Sequence, residues 1–269
     1  MDRSPAPMVS TLPTAFSSLS GLGAPVAFFR PSQRARVAPL ACAAVCAAGA
    51  AVTLAYGLAA SATAYISYGC AAVQELGRAP AVVFWLFVLA GISFGLYALL
   101  MWSMSVALYE SGIAFRSLGR FRAWAWGDVT AIYLAATREA GPFPRTRHRY
   151  TLEQTAGERA SFDDRLENVA GLGTLLGRQI VERHYPGAAG RFNAGERVGF
   201  GQVMLDQDGM QMRQRPFPWG EIEFISVRRG YLQVHLRDRT ESSMPVASIP
   251  NLDVLLLLLG HVSDVRLEE

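Results

Sequence analysis

A short pattern occurs twice in this chain, and it limits what the C-terminal part can fold into. Val106-Ala107-Leu108-Tyr109-Glu110-Ser111-Gly112-Ile113 leads, after an Arg-rich stretch, to Trp126-Gly127-Asp128-Val129. Val203-Met204-Leu205-Asp206-Gln207-Asp208-Gly209-Met210 leads likewise to Trp219-Gly220-Glu221-Ile222. Gly112 and Gly209 stand 97 positions apart, and Trp126 and Trp219 stand 93 apart. A repeat of that period is one small domain present twice. Both copies follow two long apolar segments.

No charged residue occurs from Val37 to Gln74, nor from Ala79 to Tyr109. Either stretch exceeds the roughly 20 residues a helix needs to cross a hydrocarbon layer about 30 Å thick. Two transmembrane helices are therefore predicted within residues 37–104, at about 40–66 and 80–103. Val82 to Leu89 is a dense run of strongly inserting side chains, whereas the first segment is rich in Ala and Gly, which suits close helix packing. Trp85, Trp102, Tyr65 and Tyr68 fall where interfacial aromatics belong. The alternative is a helical hairpin buried in a soluble core. An apolar content of 51% with only 17% charged residues leans toward the membrane.

The apolar run begins too late and is too long for a cleaved signal peptide, and residues 1–36, rich in Pro, Ser and Ala at their start, read as disordered. Arg30, Arg34 and Arg36 precede the first helix and Arg116, Arg120 and Arg122 follow the second, with only Glu75 and Arg78 between the helices. The positive-inside rule makes these six arginines topogenic. It places both termini in the cytoplasm and the short loop outside, in a cell (inner) membrane. Cys42, Cys46 and Cys70 have neither disulfide nor zinc spacing, and read as packing residues.

Beyond Tyr109 the period changes from helical to strand-like. The first copy is assigned to 105–190 and the second to 195–269. In the first, Val129 to Leu134 is apolar on both faces and reads as a central strand. A helix from Leu166 to His184 follows, with Asp163 and Asp164 as candidate N-caps. In the second, a helix from Leu252 to about Val262 is opened by Asn251. The fold class expected is thus a membrane α-helical hairpin plus α+β: two small antiparallel β partial barrels, each closed by a C-terminal helix. Gly112 and Gly209 are expected to supply positive φ at hairpin turns. Trp126 and Trp219 are expected to anchor the two cores, with Asp128 and Glu221 facing water.

This order of strands with one terminal helix, together with the Gly-Ile/Met … Trp-Gly-Asp/Glu-Val/Ile signature, resembles bacterial pleckstrin-homology-like domains. The stretch from about Val106 to His261 is similar to an uncharacterised family of bacterial membrane proteins carrying such modules. Arg197-Val198-Gly199-Phe200-Gly201 and Ile249-Pro250-Asn251 add to the likeness. The resemblance implies a fold and a membrane location; it brings no established activity and no binding residues.

Arg145, Arg147 and Arg149 alternate, so a strand presents all three on one face, with His148 opposite. Beside an anionic leaflet each could add about 1 kcal/mol of attraction, which makes them candidate lipid-binding residues; the other reading is a solvated strand face. Arg228-Arg229 with Arg237 and Arg239 form a weaker candidate patch. Gly171-Leu172-Gly173-Thr174-Leu175-Leu176-Gly177 lacks dinucleotide-loop spacing and lies in a helical pattern, so its glycines are expected to let the helix approach the sheet. His148, His184, His235 and His261 show no metal spacing, and Asp163/Asp164 and Asp206/Asp208 read as turns or caps. No cofactor or metal is expected, and a net charge of +3 gives no argument for nucleic acid.

The function expected is non-enzymatic: an integral membrane protein whose cytoplasmic modules bind lipid headgroups or act as a sensor or scaffold. The alternative is a protein-interaction scaffold in an envelope complex without lipid recognition. An enzyme of unrecognised type is disfavoured. A transporter is the weakest option, because neither apolar stretch holds an ionisable residue. The oligomeric state is left open.

Overall fold

The computed structural model describes residues 16, 20–117, 119–139, 145–262 and 265–267. It divides into two compact units, one formed by Arg30–Val106 with Phe115–Arg122, the other by Met1–Phe29, Ala107–Ala114 and Ala123–Glu269.

The first of these is dominated by helices α1 (Gln33–Tyr68) and α2 (Cys70–Trp102). Both are long and apolar enough to cross a membrane. The Ser32 hydroxyl accepts from the Ala35 amide at 3.2 Å and opens α1, while Gly69, at φ 80°, separates the pair. Small residues let the helices approach: a Cβ at Gly49 would strike the Phe87 ring, one at Gly57 would meet Pro80, and one at Gly91 would touch Cys46. Cys46 is therefore a packing residue, whereas Cys42 is exposed and the side chain of Cys70 lies outside the described residues. The hydroxyls of Thr53, Thr63 and Ser93 donate to carbonyls one turn back, so no polar group is presented unpaired by these three. Tyr65, Trp85 and Trp102 are exposed; the side chain of Tyr68 lies outside the described residues.

The strands are β1 (Pro25–Phe29), β2 (Ser105–Tyr109), β3 (Gly112–Ser117), β4 (Arg120–Ala125), β5 (Val129–Glu139), β6 (Arg145–Gln154) and β7 (Arg159–Asp163), followed by α3 (Val169–Asn193). The second copy comprises β8 (Val198–Phe200), β9 (Val203–Leu205), β10 (Gly209–Met212), β11 (Arg215–Pro218), β12 (Ile222–Arg228), β13 (Tyr231–Leu236) and β14 (Glu241–Pro245), then α4 (Leu252–Val262) and β15 (Val265–Leu267). The sheets run β1-β2-β3-β4, β5-β6-β7, β11-β10-β9-β8 and β14-β13-β12-β15. The architecture is α+β, and none of these sheets closes into a barrel among the described residues.

The two copies agree down to single hydrogen bonds. Trp126 Nε1 donates to the Tyr109 carbonyl at 3.0 Å and Trp219 Nε1 to the equivalent Asp206 carbonyl at 3.1 Å. Their backbone amides donate to Ser111 and Asp208, again equivalent positions. The Thr155 amide reaches the Asp128 carbonyl as the Arg237 amide reaches that of Glu221. Asn168 (φ 55°) precedes α3 as Asn251 (φ 52°) precedes α4. Trp126 is buried as expected, Trp219 is only half-buried, and Asp128 and Glu221 face water.

The duplication also explains β1. It borders β2 just as β8 borders β9, and β8 and β9 are joined only by Gly201 and Gln202. The helix pair α1–α2 thus occupies, in the first copy, the position of a two-residue turn in the second. This corrects two expectations. The segment 1–36 contains β1 and the start of α1, so it is not disordered throughout, and the first copy takes in a strand upstream of the helices rather than beginning at 105. Five residues (PVAFF) are too short a signal to read without their partner strand.

Three further expectations are revised. Gly112 and Gly209 do not have positive φ. Each lies where the backbone of the neighbouring strand passes, so that a Cβ would collide with the carbonyl oxygen of Trp124 or Phe217 respectively. Asp163 and Asp164 do not cap α3; Asn168 does, its side chain accepting from the Gly171 amide at 3.2 Å. The helix then runs past Pro186 to Asn193, its last turn anchored by buried Phe192. Finally, β5 is an edge strand of its sheet, not a central one. The second copy covers its free edge. The Asn251 amide donates to the Ile132 carbonyl at 2.8 Å, the Ile132 amide to Asn251 Oδ1 at 2.9 Å, and Asn251 Nδ2 to the Thr130 carbonyl at 3.0 Å.

The core follows the periodicities. α3 buries Leu172, Leu176 and Ile180 with Leu108, Ile113, Trp126 and Leu152 of the first copy fully enclosed; α4 buries Leu255, Leu258 and Leu259, with Ile225, Leu232 and Met244 enclosed in the second.

Candidate functional site

The β6 ladder pairs Arg145 with Glu139, Arg147 with Thr137 and Arg149 with Ala135 across β5, while Asp163 of β7 lies opposite Arg149. The three arginines thus alternate along one strand as expected. Arg147 and Arg149 are exposed, and the side chain of Arg145 lies outside the described residues. Farther along the same face the charge is compensated. Arg159 donates to Glu153 at 3.1 Å, the Tyr133 hydroxyl donates to Glu153 at 3.0 Å, and the Arg159 guanidinium lies 5.8 Å from the Tyr133 ring centre. These two donors, Arg159 first, hold the Glu153 carboxyl below the usual carboxylate range, and burial followed by the Glu153 hydrogen bond raises the Tyr133 phenol. Exposed arginines thus mark one end of the strand and the Arg159–Glu153 pair the other. His148 falls on the opposite parity, and its amide donates to Asp164 at 3.2 Å.

The other basic residues are separated. Arg228 and Arg229 sit at the turn entering β13, Arg237 and Arg239 at the turn leaving it. The six residues of β13 lie between the two pairs, and at about 3.3 Å each they hold them roughly 20 Å apart. They do not form the single patch expected. Arg30 and Arg34 are exposed at the start of α1, and Arg36 is half-buried with its Nε enclosed and lacking a hydrogen-bond partner. Arg116 and Arg120 are exposed on β3 and β4, and Arg122 is half-buried. The glycine-rich stretch of α3 works by close approach: Gly173 lies against the Tyr150 ring of β6 and Gly177 against the Asp253 carboxylate of α4.

Two arrangements escaped the sequence. On the outer face of β12–β14, the Ser226 hydroxyl and His235 Nε2 are 3.1 Å apart, and His235 Nδ1 is 3.1 Å from the Glu241 carboxylate. Phe224 stacks on the imidazole at 4.1 Å, which fixes the ring. The order Ser–His–Glu is that of a proton relay, but Ser226 is only 3% exposed. Its chemistry here is to satisfy a buried hydroxyl on a sheet face. Period-2 alternation on three separate strands brings these side chains together, a signal that becomes legible only once the register is known.

The second arrangement is a groove of about 460 Å³ between one face of α3, the start of β5 and the Pro250-Asn251 segment. Arg183, His184, Gly187, Ala188 and Arg191 form the helical wall. Arg183 donates to the Glu110 carbonyl at 3.2 Å; Arg191 is held by the Glu196 carboxylate at 3.0 Å and the Arg197 carbonyl at 3.0 Å. Among the described residues no group of three or more His, Cys, Asp or Glu side chains is arranged to hold a metal ion.

No curated protein matches the chain. A family profile does, and it spans nearly the whole of the architecture just described, from the residue that packs beside Tyr109 to the last strand. Residues 16–266 match the family of unknown function DUF6585, and the chain belongs to that family.

Proposed function

We propose that this is an integral membrane protein without catalytic activity, in which α1 and α2 span the bilayer. Its duplicated domains are pleckstrin-homology-like modules on the cytoplasmic face that bind lipid headgroups or serve as a sensor or scaffold there. The observation that carries the membrane reading is exposure. Ile66 is 85% exposed, Val82 60% and Leu89 60%, along helices with many other large apolar side chains turned outward. Water penalises such a surface at about 25 cal/mol per Å², and hydrocarbon does not. The pairing of β1 with β2 supports a hairpin, because these strands join the outer ends of α1 and α2. Both ends then open on one side of the bilayer, the side that the flanking arginines mark as cytoplasmic.

The lipid reading of the modules rests on the exposed end of β6. Its test uses the full chain in nanodiscs of neutral or anionic lipid, with hydrogen exchange followed across 145–154 over a salt series. Protection that appears with anionic lipid, weakens as salt rises and is lost on replacing Arg145, Arg147 and Arg149 together by Gln supports it. Equal exchange in both lipids, or protection unchanged by the triple replacement, would exclude it and leave the modules to a protein partner in an envelope complex.

A further inference from the structure

We infer that the groove between α3 and the Pro250-Asn251 segment is a binding site for a small phosphate-bearing ligand, distinct from the β6 face and independent of membrane anchoring. The argument begins with α3 itself. Arg183, His184, Gly187, Ala188 and Arg191 recur at helical spacing, so they share one face. The middle of that face carries only Gly187 and Ala188, and the missing side-chain volume is what hollows the groove. Its ends carry cations. No carboxylate lines it.

The two ends differ. Arg191 is already neutralised by Glu196 and is further tied to the Arg197 carbonyl. Arg183 spends one amino group on a neutral carbonyl, that of Glu110, and keeps its full charge. His184, next to it, is half-buried and lines the same wall. The remaining polar lining is occupied elsewhere: Asn251 is consumed by the β5 backbone, the Tyr133 hydroxyl by Glu153, and the Thr130 hydroxyl by the Glu153 carbonyl. The donors left to meet a ligand therefore lie at one end, a planar guanidinium beside an imidazole. That pair suits the tetrahedral oxygens of a phosphate, which the guanidinium can engage through two N–H groups at once. Arg191 lies eight residues along the helix from Arg183, about 12 Å along the axis. One phosphate therefore sits at the Arg183 end, and the organic part of the ligand lies along Gly187 and Ala188.

A free phosphate ester and a phospholipid headgroup offer the same chemistry. The test uses the full chain in phosphatidylcholine nanodiscs, titrated calorimetrically with glycerol 3-phosphate, and in parallel nanodiscs containing phosphatidic acid, read by hydrogen exchange over 180–193. Saturable binding of glycerol 3-phosphate assigns the site to a soluble ester. Protection that needs phosphatidic acid assigns it to a headgroup. In either case the R183Q/H184Q double variant should weaken the response about tenfold or more. A188L, which fills the groove and leaves both cations in place, should abolish it. R178Q, whose guanidinium pairs with Glu182 and does not line the groove, should leave it unchanged. Absence of a response to both probes, or responses equal in the parent, R183Q/H184Q and A188L, would overturn the proposal. Neither result bears on the exchange behaviour of β6, so failure here is distinguishable from failure of the membrane-surface reading.

Discussion

Gly112 and Gly209 show how one residue type can be required for a reason its sequence context does not reveal. A glycine after Glu-Ser or Gln-Asp suggests a left-handed turn, yet both residues are needed because a neighbouring strand crosses their α-carbon. Alanine at either position forces backbone apart, and we expect a loss of about 1–3 kcal/mol in denaturant unfolding of each single variant. Little change in either would contradict the close crossing. Asn251 does two jobs: it holds φ 52° before α4 and satisfies the backbone of β5. Asn251→Gly keeps the left-handed backbone and the amide bond to Ile132 and removes only the two side-chain bonds, so it should cost about 2 kcal/mol in denaturant unfolding, while Asn251→Ala should cost about 1 kcal/mol more.

Asp253 supplies a pH signature. The residue is exposed as a whole, but a carboxylate oxygen turns against Gly177, and desolvation raises its pKa above the ordinary Asp value. A raised carboxyl pKa means that the folded state holds its proton more tightly than the unfolded state. Stability is thus unpenalised below the ordinary Asp range, falls as pH rises from there through the raised value, and stays reduced above it. Asp253→Asn should remove that descent and raise the melting temperature at neutral pH; an unchanged pH profile in thermal unfolding would contradict this.

Among the elements, those with long regular periods were legible. The two apolar helices and the helix from Leu252 appear in the sequence through charge-free length or 3.6-residue spacing, and several of the strands through alternation. Boundaries moved where a local rule met a tertiary contact: α3 continues through Pro186 because Phe192 is buried beyond it. β5 looked central because both its faces are apolar, yet it is an edge strand whose free edge is held by Asn251, 119 residues beyond Ile132. Strand β1 was invisible because its evidence is a partner beyond a 75-residue interruption. The candidate site divides the same way. Alternating arginines could be read from spacing, whereas the Ser226–His235–Glu241 network and the α3 groove depend on register and on how a helix face is hollowed. An element-level prediction follows from the helix pair. Gly49→Leu would drive a side chain into Phe87 and should separate α1 from α2, which distance measurements between spin labels at 42 and 94 would report as a widening; an unchanged distance would place the close contact elsewhere.

For the whole molecule, the repeat places the helix pair between two strands, β1 and β2, whose counterparts in the second copy are joined by a short turn. The second copy demonstrates the uninterrupted form, joining β8 to β9 through Gly201-Gln202. The full chain should accordingly stay with membranes through alkaline carbonate and leave only with detergent, as a chain held by two spanning helices does. The most direct measurement replaces residues 30–104 by Gly-Gln, copying the turn of the second copy. The account predicts a protein that remains in solution without detergent, unfolds cooperatively and keeps the β-rich circular dichroism of the parent's soluble part. A variant that still partitions into membranes, or that has no cooperative transition, would show that the helices are built into the fold and not inserted in it.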